Sequence, residues 1–445
     1  MNVPPSSGPW TAAVASARPT PIVTPPELKR DALAVAILYT PMIGVTILSK
    51  FVVNIGGTEI LWGVPMILAA TCLGILSQRL RPAPGRLALY LGMAAILTSE
   101  QVFAVKTFQP TAILLLLALH LPYAFQLMGS GDPELHHERF LNLALFLCFA
   151  GVAQYLAQFV IGIRYAYPIE HFTPSGMLTH GYNYLNALGY GSHIMKANGV
   201  FLLEPSYFSQ LLATGFAIEA AGPQRVWRLL CFCVGFVVSY SGTGLLMMAV
   251  TLPTLVIVYK RYSLLVFFML VAVVLFVAGD FIGLDIFTGR LTEFSQTQTS
   301  GYQRYVGPAL MFDQYLLTSV QRTLFGLGAG MMMRMTPAPM YHVAETGWAK
   351  IILEFGLVGS VAYFGFLYLS IFRASQSIVL RVNLAMMTLM SGILDSPPHG
   401  MILSLLLWLA PSVKPTALAS QPIVVQRIKS TVMPRMPALP PGKSR

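Results

Sequence analysis

The feature that most restricts this chain is a succession of uninterrupted apolar runs, each about 18 to 22 residues long, which is the length that carries a helix through a hydrocarbon core of roughly 30 Å. Backbone groups inside lipid must be hydrogen-bonded within their own segment, so runs of this length imply helices. A membrane barrel would show short segments of alternating polarity instead, and the sequence lacks them. Composition agrees: 55% of the 445 residues are apolar and 10% are charged, where soluble chains carry about a quarter charged. The expected fold class is all-α, a polytopic membrane protein with about twelve transmembrane helices.

Those spans are expected at about 32–49, 58–77, 87–105, 110–128, 140–163, 200–220, 225–240, 242–259, 263–282, 355–372, 377–395 and 399–411. Two long connections, about 164–199 and 283–348, separate them, and every other connection is brief. Residues 1–30 are rich in Pro, Ser and Thr and lack the central apolar stretch of a signal peptide. They read as a disordered cytoplasmic tail. Residues 31–411 form the expected transmembrane domain, and 412–445 a second tail, basic and Pro-rich.

The net charge of +11 does not point to nucleic acid, because the basic residues gather in short connections and at the two ends. They behave as topology signals. With the N-terminus inside, 19 of the 28 Lys and Arg fall on the cytoplasmic side, among them Arg79, Arg81, Arg86, Arg139, Arg225, Arg228, Lys260 and Arg261. Both termini are then cytoplasmic and both long connections external. The nine external cations are Lys50, Lys106, Arg164, Lys196, Arg290, Arg304, Arg322, Arg334 and Lys350. Seven of them lie in or beside the long connections, which suggests that part of the group holds an anion; solvated or headgroup-facing side chains are the plain alternative. Cys72, Cys148, Cys231 and Cys233 all sit in apolar runs and read as small core residues, with neither disulfide nor metal site expected.

Ionisable groups at membrane depth are costly unless paired or hydrated. Four acids qualify: Glu100, Glu204, Asp280 and Asp395. Glu204 stands apart, because it belongs to Lys196-Ala-Asn-Gly-Val-Phe-Leu-Leu-Glu204-Pro-Ser-Tyr-Phe-Ser-Gln210, which leads from the first long connection into a helix with Pro205 near its start. The residues leave two readings open: a helix cap beside a surface lysine, or a charged pair at the outer mouth of the bundle. In the second connection, Gly326-x-Gly-x-Gly330 neither follows a soluble strand nor carries a P-loop Lys-Ser/Thr, so it reads as a tight turn.

Lys-x-x-Gly-x-x-x-x-Glu-Pro-Ser ahead of an apolar helix resembles a signature of the O-antigen polymerase and ligase superfamily, particularly Wzy-type exopolysaccharide polymerases. The second connection continues the likeness with Gly301-Tyr-Gln-Arg304, then Leu324-Phe-Gly-Leu-Gly-Ala-Gly330, then His342-Val-Ala-Glu345-Thr-Gly-Trp-Ala-Lys-Ile-Ile-Leu-Glu-Phe-Gly-Leu-Val-Gly359. The resemblance covers roughly residues 140–410. Two positions depart from it: Lys196 stands where many relatives show Arg, and Val343 follows His342 where ligases commonly show Asn. Both departures weigh against a ligase.

The resemblance implies a GT-C-like, metal-independent glycosyltransferase without cofactor in a bacterial inner membrane, joining undecaprenyl-diphosphate-linked repeat units at the external face. Its donor and acceptor are lipid-linked glycans, membrane lipid surrounds it, and a flippase and a chain-length regulator are the expected protein partners. An O-antigen ligase is the alternative within the class, and a lipid-linked sugar transporter or flippase the alternative outside it. Preformed cations would stabilise the departing diphosphate, and arginine matches phosphate oxygens with paired hydrogen bonds. Lys196, Arg290, Arg304 and Arg322 are the candidate clamps, with Tyr302 and Glu345 as further substrate contacts. His342 is the candidate base, and Glu204 either shares that work or holds Lys196.

Overall fold

The computed structural model describes residues 31–409 apart from 56–57, 105–107, 181, 189–191, 265, 268, 271–272, 274–294, 298, 336–342, 345 and 393–395. The described chain is mostly helical. In order come α1 (Ala32–Thr46), α2 (Gly63–Leu76), α3 (Pro84–Ser99), α4 (Pro110–His120), α5 (Pro133–Val160), α6 (Pro205–Ala221), α7 (Val226–Ser239), α8 (Gly242–Tyr259), α9 (Gly347–Phe372), α10 (Ile378–Met390) and α11 (Ser396–Ile402), with shorter turns between them. Three of these, α5, α8 and α9, are long and apolar enough to cross a membrane by length and composition; α1, α2, α4, α7 and α10 are apolar but shorter. The expected span at 263–282 lies largely outside the described residues.

Local chemistry explains several helix ends. Proline opens α3, α4, α5 and α6, where its missing N–H costs nothing and its fixed φ suits the first turn. Asp31 and Asp132 cap α1 and α5 by accepting from the backbone N–H groups of Leu33 and Glu134, both at 3.0 Å. The apolar run expected from residue 58 opens instead with a strand. β1 (Val52–Ile55) and β2 (Thr58–Leu61) pair antiparallel, with Val52 opposite Leu61. Gly56-Gly57 between them is a hairpin signal that a reading by run length passes over.

At the centre lies α6, buried at every position from Pro205 to Ala220. A helix apolar on one face only could not tolerate this, but the polar residues of α6 all find partners. Thr214 donates to Asn383 Oδ1 of α10 (2.9 Å), whose amide donates to Thr251 of α8 (3.1 Å), and Gln210 accepts from Ser391 (3.1 Å). At its C-terminal end the fully buried Glu219 accepts from Arg225 (2.9 Å) and Arg228 (3.3 Å), and both arginines also reach Glu138 of α5. Arg225 and Arg228, read from sequence as topology signals, therefore also fasten α5, α6 and α7 together. α5, α7, α8 and α10 all pack on α6.

α9 is broken. Gly356 has φ 60° and ψ −160°, a conformation essentially confined to glycine. The break frees the carbonyls of Leu353 and Glu354, and the glycine turn of the second long connection takes them: Leu327 N–H donates to Leu353 O and Gly328 N–H to Glu354 O, both at 3.0 Å. Gly326, Gly328 and Gly330 all have positive φ. A Cβ on Gly326 would stand 2.6 Å from the nitrogen of Gly356, so two backbones meet where side chains cannot fit. The tight-turn reading of this motif holds, and its glycines serve a helix break.

Candidate functional site

Glu204 is the N-cap residue of α6, with extended backbone (φ −143°, ψ 162°), and Pro205 is the first helical residue. Its carboxylate does not bond the first-turn N–H groups. Instead Oε1 accepts from the backbone of Asn183 (3.1 Å) and Oε2 from the Ser206 hydroxyl (3.0 Å). The guanidinium of Arg304 completes the surroundings, with Nη2 3.7 Å from Oε2. Both side chains remain partly open to solvent, 20% exposed for Arg304 and 17% for Glu204, so an incoming molecule can reach the pair.

Arg304 is carried by one turn of π-helix, Tyr302–Val306, a distortion found disproportionately at functional sites. Tyr302 opens the same turn. The Tyr305 hydroxyl anchors the turn on Met390 Sδ of α10 (2.7 Å). On its other side Ala344 N–H donates to Gln303 O (2.9 Å). The backbone two residues along the sequence from His342 is thereby joined to the neighbour of Arg304. His342, Glu345 and Arg290 themselves lie outside the described residues.

Lys196 is buried, its N–H donating to Asn186 O (2.8 Å) and its carbonyl accepting from the Tyr167 hydroxyl (2.9 Å). Arg322 lies on the short helix Val320–Phe325 and bonds Thr318 one turn before it (3.0 Å). Of the expected site residues, then, the structure brings together Glu204 and Arg304 from the two long connections, while the bonds of Arg322 stay within its own turn. Three more of the cations expected to be external are occupied. Lys350 pairs with Glu354 inside α9 (3.9 Å), and Arg164 lies over the Phe172 ring (5.5 Å). The amide oxygen of Gln109, in its satisfied orientation, accepts from Arg334 through Nη2 and Nε, both at 2.8 Å.

Sequence reading missed a second cluster, gathered around Asn198 and Val200 a few residues before Glu204 in the chain. Lys50, counted among the external cations, is fully buried and paired with Glu170. Burial pushes its ammonium down to about 8, against the upward pull of the Glu170 carboxylate. Asn198 donates to Glu170 Oε1 (3.0 Å) and Gln154 of α5 donates to Asn198 Oδ1 (3.0 Å). The Tyr184 hydroxyl, which bonds Thr179 O (2.6 Å), is raised by burial and then by the nearby charges of Glu170, Glu59 and Glu204. Glu59 of β2 holds the first connection from outside: it is kept below the usual carboxylate range by the backbone N–H of His180, then by the His180 ring. These residues come from six separate places in the sequence, so no spacing announces them.

No family model and no curated protein matches this chain.

Proposed function

We propose that the chain is a membrane glycan polymerase that joins undecaprenyl-diphosphate-linked repeat units at the external face of a bacterial inner membrane. In this reading it has about twelve spans in a GT-C-like arrangement, with both termini cytoplasmic. The observation that carries it is the pairing of Glu204, just past the end of one long connection, with Arg304, in the first third of the other. Two segments about a hundred residues apart, singled out separately for their motifs, supply the two charges of one solvent-reachable site.

The chemistry fits those residues. An acceptor hydroxyl oxygen attacks the anomeric carbon of the donor sugar, the bond from that carbon to the diphosphate oxygen breaks, and its electron pair leaves on the lipid diphosphate. The hydroxyl proton passes to a base, for which His342 and Glu204 are the two candidates. Arg304 and Lys196 offset the charge that grows on the leaving group, where a positioned donor is worth roughly 3 kcal/mol. Glu204 holds the Arg304 guanidinium until substrate arrives.

The test is an extraction of lipid-linked oligosaccharides from cells lacking this chain. Single lipid-linked repeats should accumulate on the external face. Accumulation of long lipid-linked polymer would replace the polymerase with a ligase, and repeats trapped on the cytoplasmic face would replace it with a flippase.

A further inference from the structure

We infer that Lys50 and Glu170 are positioning residues, which with Gln154 and Asn198 clamp a strained turn at Val200 and so set where the following residues deliver Glu204. Val200 has φ +68°, a left-handed conformation that a β-branched side chain adopts only when its surroundings impose it. Phe201 N–H donates to Gly199 O (2.8 Å), which makes Val200 the centre of a γ-turn of the rare, strained hand.

The Val200 N–H, the Val200 carbonyl and the Phe201 carbonyl are each held by a side chain from elsewhere. Gln154 Oε1 accepts from the N–H groups of Asn198 (3.1 Å) and Val200 (3.2 Å). The Lys50 ammonium binds Val200 O on the opposite side and Glu170 at the same time. Ser49, the residue before Lys50, donates to Phe201 O (2.8 Å). Asn198 ties the assembly to Tyr184 O (3.2 Å) as well as to Glu170. Val200 is thus pinned at its nitrogen by α5 and at its oxygen by the turn after α1, four residues before Glu204 and four after Lys196.

A buried ion pair is weak as a source of stability, because desolvation offsets most of the attraction; its attested use is to fix one geometry. Here the geometry being fixed is visible, since the turn would relax to negative φ if either clamp opened. The role assigned to Glu204 rests on the polymerase reading, whereas the clamp itself does not, and the experiment separates the two.

Hydrogen exchange of the full chain in detergent reads the clamp, and turnover with a lipid-linked donor reads its consequence. In Glu170→Gln, which keeps the shape of the side chain, and in Lys50→Met, the amides of Asn198 and Val200 should exchange at least tenfold faster while those of Leu211–Phe216 in α6 stay protected. Turnover should fall at least tenfold in the same variants, with the donor KM within twofold of wild type. Adding Val200→Gly to Lys50→Met should recover most of the turnover, because glycine holds the left-handed turn without a clamp. Unchanged exchange at both amides, or no recovery with Val200→Gly, overturns the inference. If exchange responds as expected while wild type forms no polymer, the clamp stands and the polymerase reading falls.

Discussion

Replacing Gly356 by alanine tests whether α9 is broken in the way described. At φ 60° and ψ −160° an L-residue is in a region that costs about 1–3 kcal/mol. The added Cβ would also stand 2.5 Å from both Gly326 N and Leu324 O, backbone atoms that cannot rotate away. Moving them is an overpacking cost of about 1–3 kcal/mol more. The sum, about 2–6 kcal/mol, is a large share of the stability of an ordinary domain and, in a chain of this length, should lower the melting temperature by about 2–8 °C. Gly365→Ala in the same helix is the matched control, because nothing lies within 4 Å of a Cβ there. It should stabilise slightly, by about 0.5–1 kcal/mol, through the ordinary helical advantage of alanine over glycine. Thermal unfolding in detergent, followed by circular dichroism, compares the two. If Gly356→Ala melts together with Gly365→Ala, α9 runs unbroken and the glycine turn does not seat on it.

Two further outcomes follow from the same contacts. Arg304→Ala should lower polymer formation at least about 10²-fold, the loss of roughly 3 kcal/mol of transition-state stabilisation, while the chain inserts and accumulates normally; Arg304→Lys should recover only part, since a point charge cannot make two parallel bonds to phosphate. Full activity in Arg304→Ala would return the residue to the solvated surface. Lys50 gives a stability change with pH: its folded value of about 8 lies below the ordinary 10.5, so between them the unfolded chain binds more protons and the fold gains stability as pH rises. The gain, about 3 kcal/mol at most, is present in full above 10.5 and is lost as pH falls through 8. Denaturant unfolding across that window should show wild-type stability rising with pH relative to that of Lys50→Met, and parallel curves would refute the assignment.

The apolar runs alone made this chain helical, because length and lipid-like composition leave the backbone no other way to satisfy its hydrogen bonds. Pro205 after Glu204 likewise declared a helix start from local chemistry, and the structure has α6 begin there. Motif order marked Glu204 and Arg304 as worth attention, but their meeting at 3.7 Å depends on how the second connection packs against α6 and α10. The glycine turn was readable as a turn; that it caps a broken α9 was not, since the break is a relation between Gly326 and Gly356 across backbones. Lys50 shows the limit most clearly. Its sequence neighbours place it in a short connection where a cation is expected to be solvated, and only the tertiary fold, by bringing Glu170, Asn198, Gln154 and Val200 around it, turns a surface charge into a buried clamp. Periodicity and caps act over a few residues and can be read along the chain, whereas burial and charge pairing are decided by residues far apart in it.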